Sequence, residues 1–130
     1  MTELAIEMAG NRTAFRPGEP MAGGVSWALD SLAEGVELRL FWYTRGKGTA
    51  ATEVVEVVRF EKPQLHEKRQ FQVTAPDGPY SFSGKLISLV WALELVVGPG
   101  KLCHKQDIVI SPNGAEVELG VVAGAKGGGE

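Results

Sequence analysis

Apolar residues recur at every second position along nearly the whole of this 130-residue chain, and glycine and proline interrupt the runs between them. A period of two belongs to strands with one buried face, because successive side chains point to opposite sides of a sheet. Leu4, Ile6 and Met8 alternate with Glu3, Ala5 and Glu7. Met21, Gly23, Val25, Trp27 and Leu29 share one face, with Ala22, Gly24, Ser26 and Ala28 on the other. Val36, Leu38, Leu40 and Trp42 face one way, and Glu37, Arg39, Phe41 and Tyr43 the other. Residues 53–61 are apolar on both sides, with Val54, Val58 and Phe60 against Val55 and Val57. That pattern predicts a central strand or one covered on both faces. Phe71 and Val73 point inward from Lys68, Gln70 and Gln72, and the longest run, 85–97, places Ile87, Leu89, Trp91, Leu93 and Leu95 together. Further strands are expected over 102–111 and 117–121.

Helix competes at two places only. Residues 27–34 contain good helix formers, but the stretch is short and bracketed by strands. Residues 86–97 form a nearly continuous apolar run, which Ile87, Val90, Val96 and Val97 tip toward strand.

The punctuation is specific. Seventeen glycines and 7 prolines are present, and Arg16-Pro17-Gly18-Glu19 fits a type II turn, with Pro17 setting φ and Gly18 accepting φ > 0. Two adjacent glycines, Gly23 and Gly24, imply a bulge or a close backbone approach inside a strand. Residues 75–79, 98–100 and 111–114 read as turns, and Arg45 to Ala50 as a flexible loop. About seven or eight short strands separated by turns in one domain describe an all-β, immunoglobulin-like antiparallel β-sandwich; a closed barrel shares the pattern. The domain is expected over residues 1–122, with a flexible glycine-rich tail at 123–130.

Composition removes several classes of function. Lys plus Arg total 13 and Asp plus Glu 16, a net charge of −3. Nucleic-acid binding needs clustered positive charge and is not expected. No apolar stretch reaches the roughly 20 residues that span a bilayer, and the acidic start Met1-Thr2-Glu3-Leu4 is unlike a targeting segment. The single cysteine, Cys103, permits no internal disulfide and points to a reducing, cytoplasmic setting.

Catalytic and metal chemistry find little material. Cys103 and His104 are adjacent, so in a strand they point to opposite faces and do not converge on a metal or form a nucleophilic pair. Cys103 is expected to be half buried in its strand. Arg45-Gly46-Lys47-Gly48-Thr49 lacks the full phosphate-loop spacing and the helix that follows it. No catalytic residue, metal site or cofactor is expected. Two basic groups remain. Lys62, His66, Lys68 and Arg69 are interleaved with Glu61 and Glu67, and Lys101, His104 and Lys105 repeat the pattern near another turn. Mixed signs ordinarily mark a solvated face. Brought together in space, the two groups could receive an acidic or phosphorylated peptide. Phe41, Trp42 and Tyr43 supply an alternative, an aromatic patch for a carbohydrate or another small ligand.

Three segments resemble the N-terminal domain of the arrestin family. Phe15-Arg16-Pro17-Gly18-Glu19-Pro20 followed by Gly23-Gly24-Val25 is similar to that family's aromatic-x-Pro-Gly-Glu turn and the strand after it. Phe71-Gln72-Val73 and Ala75-Pro76 resemble its apolar strand ending in proline. Tyr80-Ser81-Phe82-Ser83-Gly84 leading into residues 87–95 resembles its Ser-Phe-x-Gly segment before a long strand. Order and spacing agree from about Leu4 to about Pro112. Full arrestins carry two such sandwiches, and this chain has length for one. Their polar core and phosphate-sensing basic residues align with no motif here, so none is carried over. The resemblance implies a non-catalytic scaffold that binds a protein or peptide partner, by strand addition at a sheet edge or on a sheet face. A sheet edge could also serve a homodimer.

Overall fold

The computed structural model describes residues 2–46, 50–84, 86–98, 102–112 and 117–118. Among them the strands are β1 (Glu3–Met8), β2 (Ala14–Phe15), β3 (Pro20–Ala28), β4 (Gly35–Gly46) and β5 (Thr52–Phe60). They continue with β6 (His66–Thr74), β7 (Phe82–Ser83), β8 (Ile87–Gly98), β9 (Leu102–Ile110) and β10 (Val117–Glu118). The expected tail at 123–130, most of the final strand, the turn residues Pro99 and Gly100, Lys101 and the loop residues Lys47, Gly48 and Thr49 lie outside the described residues.

Two sheets form. The smaller has the order β1-β3-β6, and the larger runs β5-β4-β8, with β7 and β9 both pairing the far side of β8. All the long pairings are antiparallel, whereas the two-residue strands β2 and β10 pair β9 and β7 in parallel. Among the described residues β1, β6 and β5 have one free edge each, so the sheets are open and the fold is a sandwich. Between them lie the residues that the alternation assigned inward: Ile6, Met21, Val25, Trp27, Leu38, Leu40, Phe71, Trp91, Leu93 and Leu95 are all buried. Residues 27–34 contain no helix; β3 ends at Ala28 and a connection follows.

The turn segments behind the arrestin resemblance meet at one end of the sandwich. Gly18 has φ 84°, and the Glu19 N–H donates to the Arg16 carbonyl at 3.1 Å, which closes the expected turn. That turn is tied to the end of β6: Gly18 N–H donates to Ala75 O and Ala75 N–H to Glu19 O, each at 2.8 Å. Ser81 is buried, and its hydroxyl accepts from the Ile110 N–H at 3.0 Å. Phe82 packs against the core beside it. Glu19 Oε1 also accepts from Arg16 N–H at 2.7 Å and from Arg12 Nη2 at 3.0 Å.

The Arg16 N–H first, and then Arg12, hold the Glu19 carboxyl below the ordinary carboxylate range. A lowered acid stabilises the fold above its unfolded pKa and loses that contribution as pH falls through its folded value. The melting temperature of Glu19→Gln is therefore expected to lie below that of the wild type near neutrality. The gap should close as thermal melts are taken below about pH 4.

One strand departs from its expected place. β5 is the outer strand of the larger sheet, with Val54 46% and Val55 43% exposed. Its pairing with β4 shifts between Leu40 and Phe41: Glu56 faces Leu40 and Val54 faces Phe41, leaving Val55 as the extra residue of a bulge. A bulge inverts the alternation beyond it. Val54 therefore sits on the opposite face from Val58 and Phe60. Of the valines that suggested a doubly covered strand, Val54 and Val55 are exposed on the outer strand, while Val58 packs against the core.

Candidate functional site

A groove opens at the seam where β1, the edge of the smaller sheet, runs beside the Leu102–His104 end of β9. It has a volume of about 850 Å³ and extends over β3 onto β6, with Glu3 and Ala5 on one wall and His66 and Lys68 on the other. Leu102 and His104 border it from the larger sheet. A second depression of about 800 Å³ shares Ser26 and Lys68 with the first and runs on past Gly24 to Gln70 and Gln72.

The β-register explains this composition. His66 pairs with Ala28, Lys68 with Ser26 and Gln70 with Gly24, so all three follow the outer face of β6. The floor beneath them is low because β3 contributes the small residues Ala22, Gly24, Ser26 and Ala28 there. Across β3, the Glu3–Ala28, Ala5–Ser26 and Glu7–Gly24 pairs put two carboxylates on the β1 side. One wall is thus acidic and the other basic.

Alternation splits the first basic group. Arg69 is paired with Val25, an inward position. Its guanidinium bonds the Glu67 carboxylate, donates to Glu61 O at 2.9 Å and lies 6.0 Å from the centre of the Trp27 ring. Arg69, and then the Gln64 N–H, hold Glu67 below the usual carboxylate range. Lys62 sits in the β5–β6 connection at φ 52°. Neither Lys62 nor Arg69 lines the groove.

The second group divides in the same way. His104 pairs with Leu95 and faces the seam, whereas Lys105 pairs with Glu94 on the outer face of the larger sheet. Lys105 donates to the Tyr43 hydroxyl at 2.8 Å and lies 3.7 Å from the Asp107 carboxylate. The Tyr43 bond and then Asp107 raise its pKa above the ordinary lysine value. Lys101 lies outside the described residues. Of the seven basic residues singled out in the sequence, the structure brings His66, Lys68 and His104 to one groove. Glu3 and Ala5 were missed as its opposite wall; their alternation was visible, but their position across β3 from His66 and Lys68 depends on strand order.

Cys103 borders the groove at the seam, but its place in the strand turns it to the outer face shared with Glu94, opposite His104; it is exposed, a correction to the expected half-buried cysteine. Desolvation, and then the Glu94 carboxylate, push its thiol above the ordinary range. That disfavours the thiolate a nucleophile requires. Among the described residues no group of three His, Cys, Asp or Glu side chains is placed to hold a metal ion.

The aromatic alternative falls on both sides of the larger sheet. Trp42 packs against the core. Phe41 and Tyr43 stack on the outer face with ring centres 5.8 Å apart, and Lys105 Nζ lies 4.3 Å from the Tyr43 ring centre. Tyr43 thus has both an aromatic and a cationic neighbour against its ring.

Neither a family model nor a curated protein matches the chain. Among solved structures it is similar to the crystal structure of Spo0M, a sporulation control protein from Bacillus subtilis, with a TM-score of 0.55 and 16% sequence identity. The match covers 85% of this chain and 49% of that one, so the chain spans about half the length of that structure. The likeness is one of fold: an all-β, arrestin-like sandwich.

Proposed function

We propose that the chain is a non-catalytic protein-interaction module of arrestin-like type, and that it docks an extended acidic segment of a partner in the groove bordered by β1, β6 and β9. The observation that carries this reading is the convergence of His66 and Lys68 from one sheet with His104 from the other on a single open groove. An open trough with a small-residue floor suits a chain segment better than a small molecule, whose sites enclose most of the ligand surface. Charged walls favour encounter and register more than raw affinity, so the expected binding is weak and salt-dependent.

The reading includes a cytoplasmic location, supported by the presence of one cysteine in the whole chain. Among the described residues no helix is long and apolar enough to cross a membrane. A homodimer, if formed through a sheet edge, would use β5 and its exposed valines.

A labelled hexa-aspartate peptide followed by fluorescence anisotropy tests the groove. Lys68→Glu replaces an attraction by a repulsion and is expected to weaken binding about tenfold or more. Lys105→Glu, on the far face of the larger sheet, is expected to change it less than about twofold. Equal losses in the two variants would mean that overall charge, and not the groove, governs binding.

A further inference from the structure

The chain contains two histidines, and both border this one groove. They come from strands 38 residues apart in sequence and from different sheets. Histidine is the side chain whose charge ordinarily changes between pH 5 and 8. We propose that His66 and His104 make the groove a proton-dependent clamp, which holds an acidic partner segment weakly at alkaline pH and firmly at mildly acidic pH. The proposal rests on the docking reading above and adds its regulation.

The surrounding charges support a switch. From β1, Glu3 faces the groove, and on β6 Lys68 and Glu67 flank His66. Thr2, also on the groove, donates to the Asp30 carboxylate at 3.3 Å. On β9, Cys103 and Lys105 belong with Glu94 to the outer face of the larger sheet, opposite the face that carries His104. Glu67 is bonded to Arg69. With neutral imidazoles, the remaining Lys68 and Glu3 balance one another and an acidic segment gains little. Protonating both histidines adds two positive charges from opposite sides of the groove, where a segment crossing the seam meets both. A partner whose acids are aspartates keeps its own charge across the same pH range.

The test measures hexa-aspartate affinity at constant ionic strength between about pH 8 and about pH 5.5, for the wild type, His66→Gln, His104→Gln and the double variant. Exposed charge pairs each contribute a few-fold in affinity, so the wild type is expected to tighten about tenfold toward acid pH. Each single variant should lose part of that rise, and the double variant nearly all of it. Circular dichroism at both pH values checks that the fold is the same throughout. Wild-type binding that is equally tight at both pH values would overturn the clamp while leaving the docking site standing. A rise that persists in the double variant would also overturn it, by placing the titrating group elsewhere. Absence of binding at every pH would remove the docking reading itself, and the clamp with it.

Discussion

Replacing Trp91 by alanine is expected to lower the stability of the fold by about 4 kcal/mol, within the range for aromatic truncations in packed cores. Trp91 is fully buried at the centre of β8, with Leu89 and Leu93 on the same face. Its indole N–H donates to the Pro79 carbonyl at 2.7 Å, tying β8 to the segment that precedes β7. Alanine loses the transfer energy of the ring and leaves a cavity that strands on both sides cannot fill without giving up their pairing. For a domain of this size the loss corresponds to a fall in melting temperature of roughly 15 °C. Trp91→Phe keeps most of the volume and removes the donor, and should cost about half as much. Trp42→Ala, at a partly buried position packed on the core, should cost about 2 kcal/mol or less. Urea unfolding followed by circular dichroism distinguishes the three. A Trp91→Ala protein within about 1 kcal/mol of the wild type would contradict the packing described here.

Gly23→Ala is the second large effect. Gly23 pairs with Met8 of β1 and Phe71 of β6. A Cβ there would overlap the Glu7 carbonyl oxygen and come within 3.0 Å of the Phe71 ring. The carbonyl belongs to the backbone of a paired strand, so relief requires β1 to move as a unit. We expect a loss of about 2–3 kcal/mol, the scale of overpacking in a core. The adjacent Gly24 provides the control: its added Cβ meets Arg69 O at 3.6 Å, an ordinary contact. Gly24→Ala is expected to be neutral or slightly stabilising, because alanine narrows the unfolded ensemble. Similar losses at both positions would show that strand propensity, and not the close approach at Gly23, controls this site. Gly24 also lies in the floor of the second depression, so its alanine variant reports whether the trough tolerates a methyl group without loss of peptide binding.

The legibility of this protein in its sequence follows from the range of each interaction. Period-two alternation in β1, β3, β4, β6 and β8 identified the inward faces because that pattern depends on nothing beyond the strand itself. The Pro17-Gly18 turn was legible for the same reason. β5 was not, since the bulge that reverses Val54 arises from its pairing with β4, and its own residues carry no mark of it. The basic clusters show the limit most directly. Lys68 and Arg69 are neighbours in sequence, but the strand sends one to the groove and the other into an ion pair with Glu67 over Trp27.

Local chemistry alone determined that this chain forms short strands with one buried face, where it turns, and that Cys103 and His104 diverge. Those properties are set within two to four residues by backbone geometry and side-chain type. Tertiary structure decided which edges stay free, that β5 is one of them, and that His66 and His104 share a groove from separate sheets. Strand order and the stacking of the sheets are settled by burial of the whole core, and no local signal encodes which distant strand becomes a neighbour.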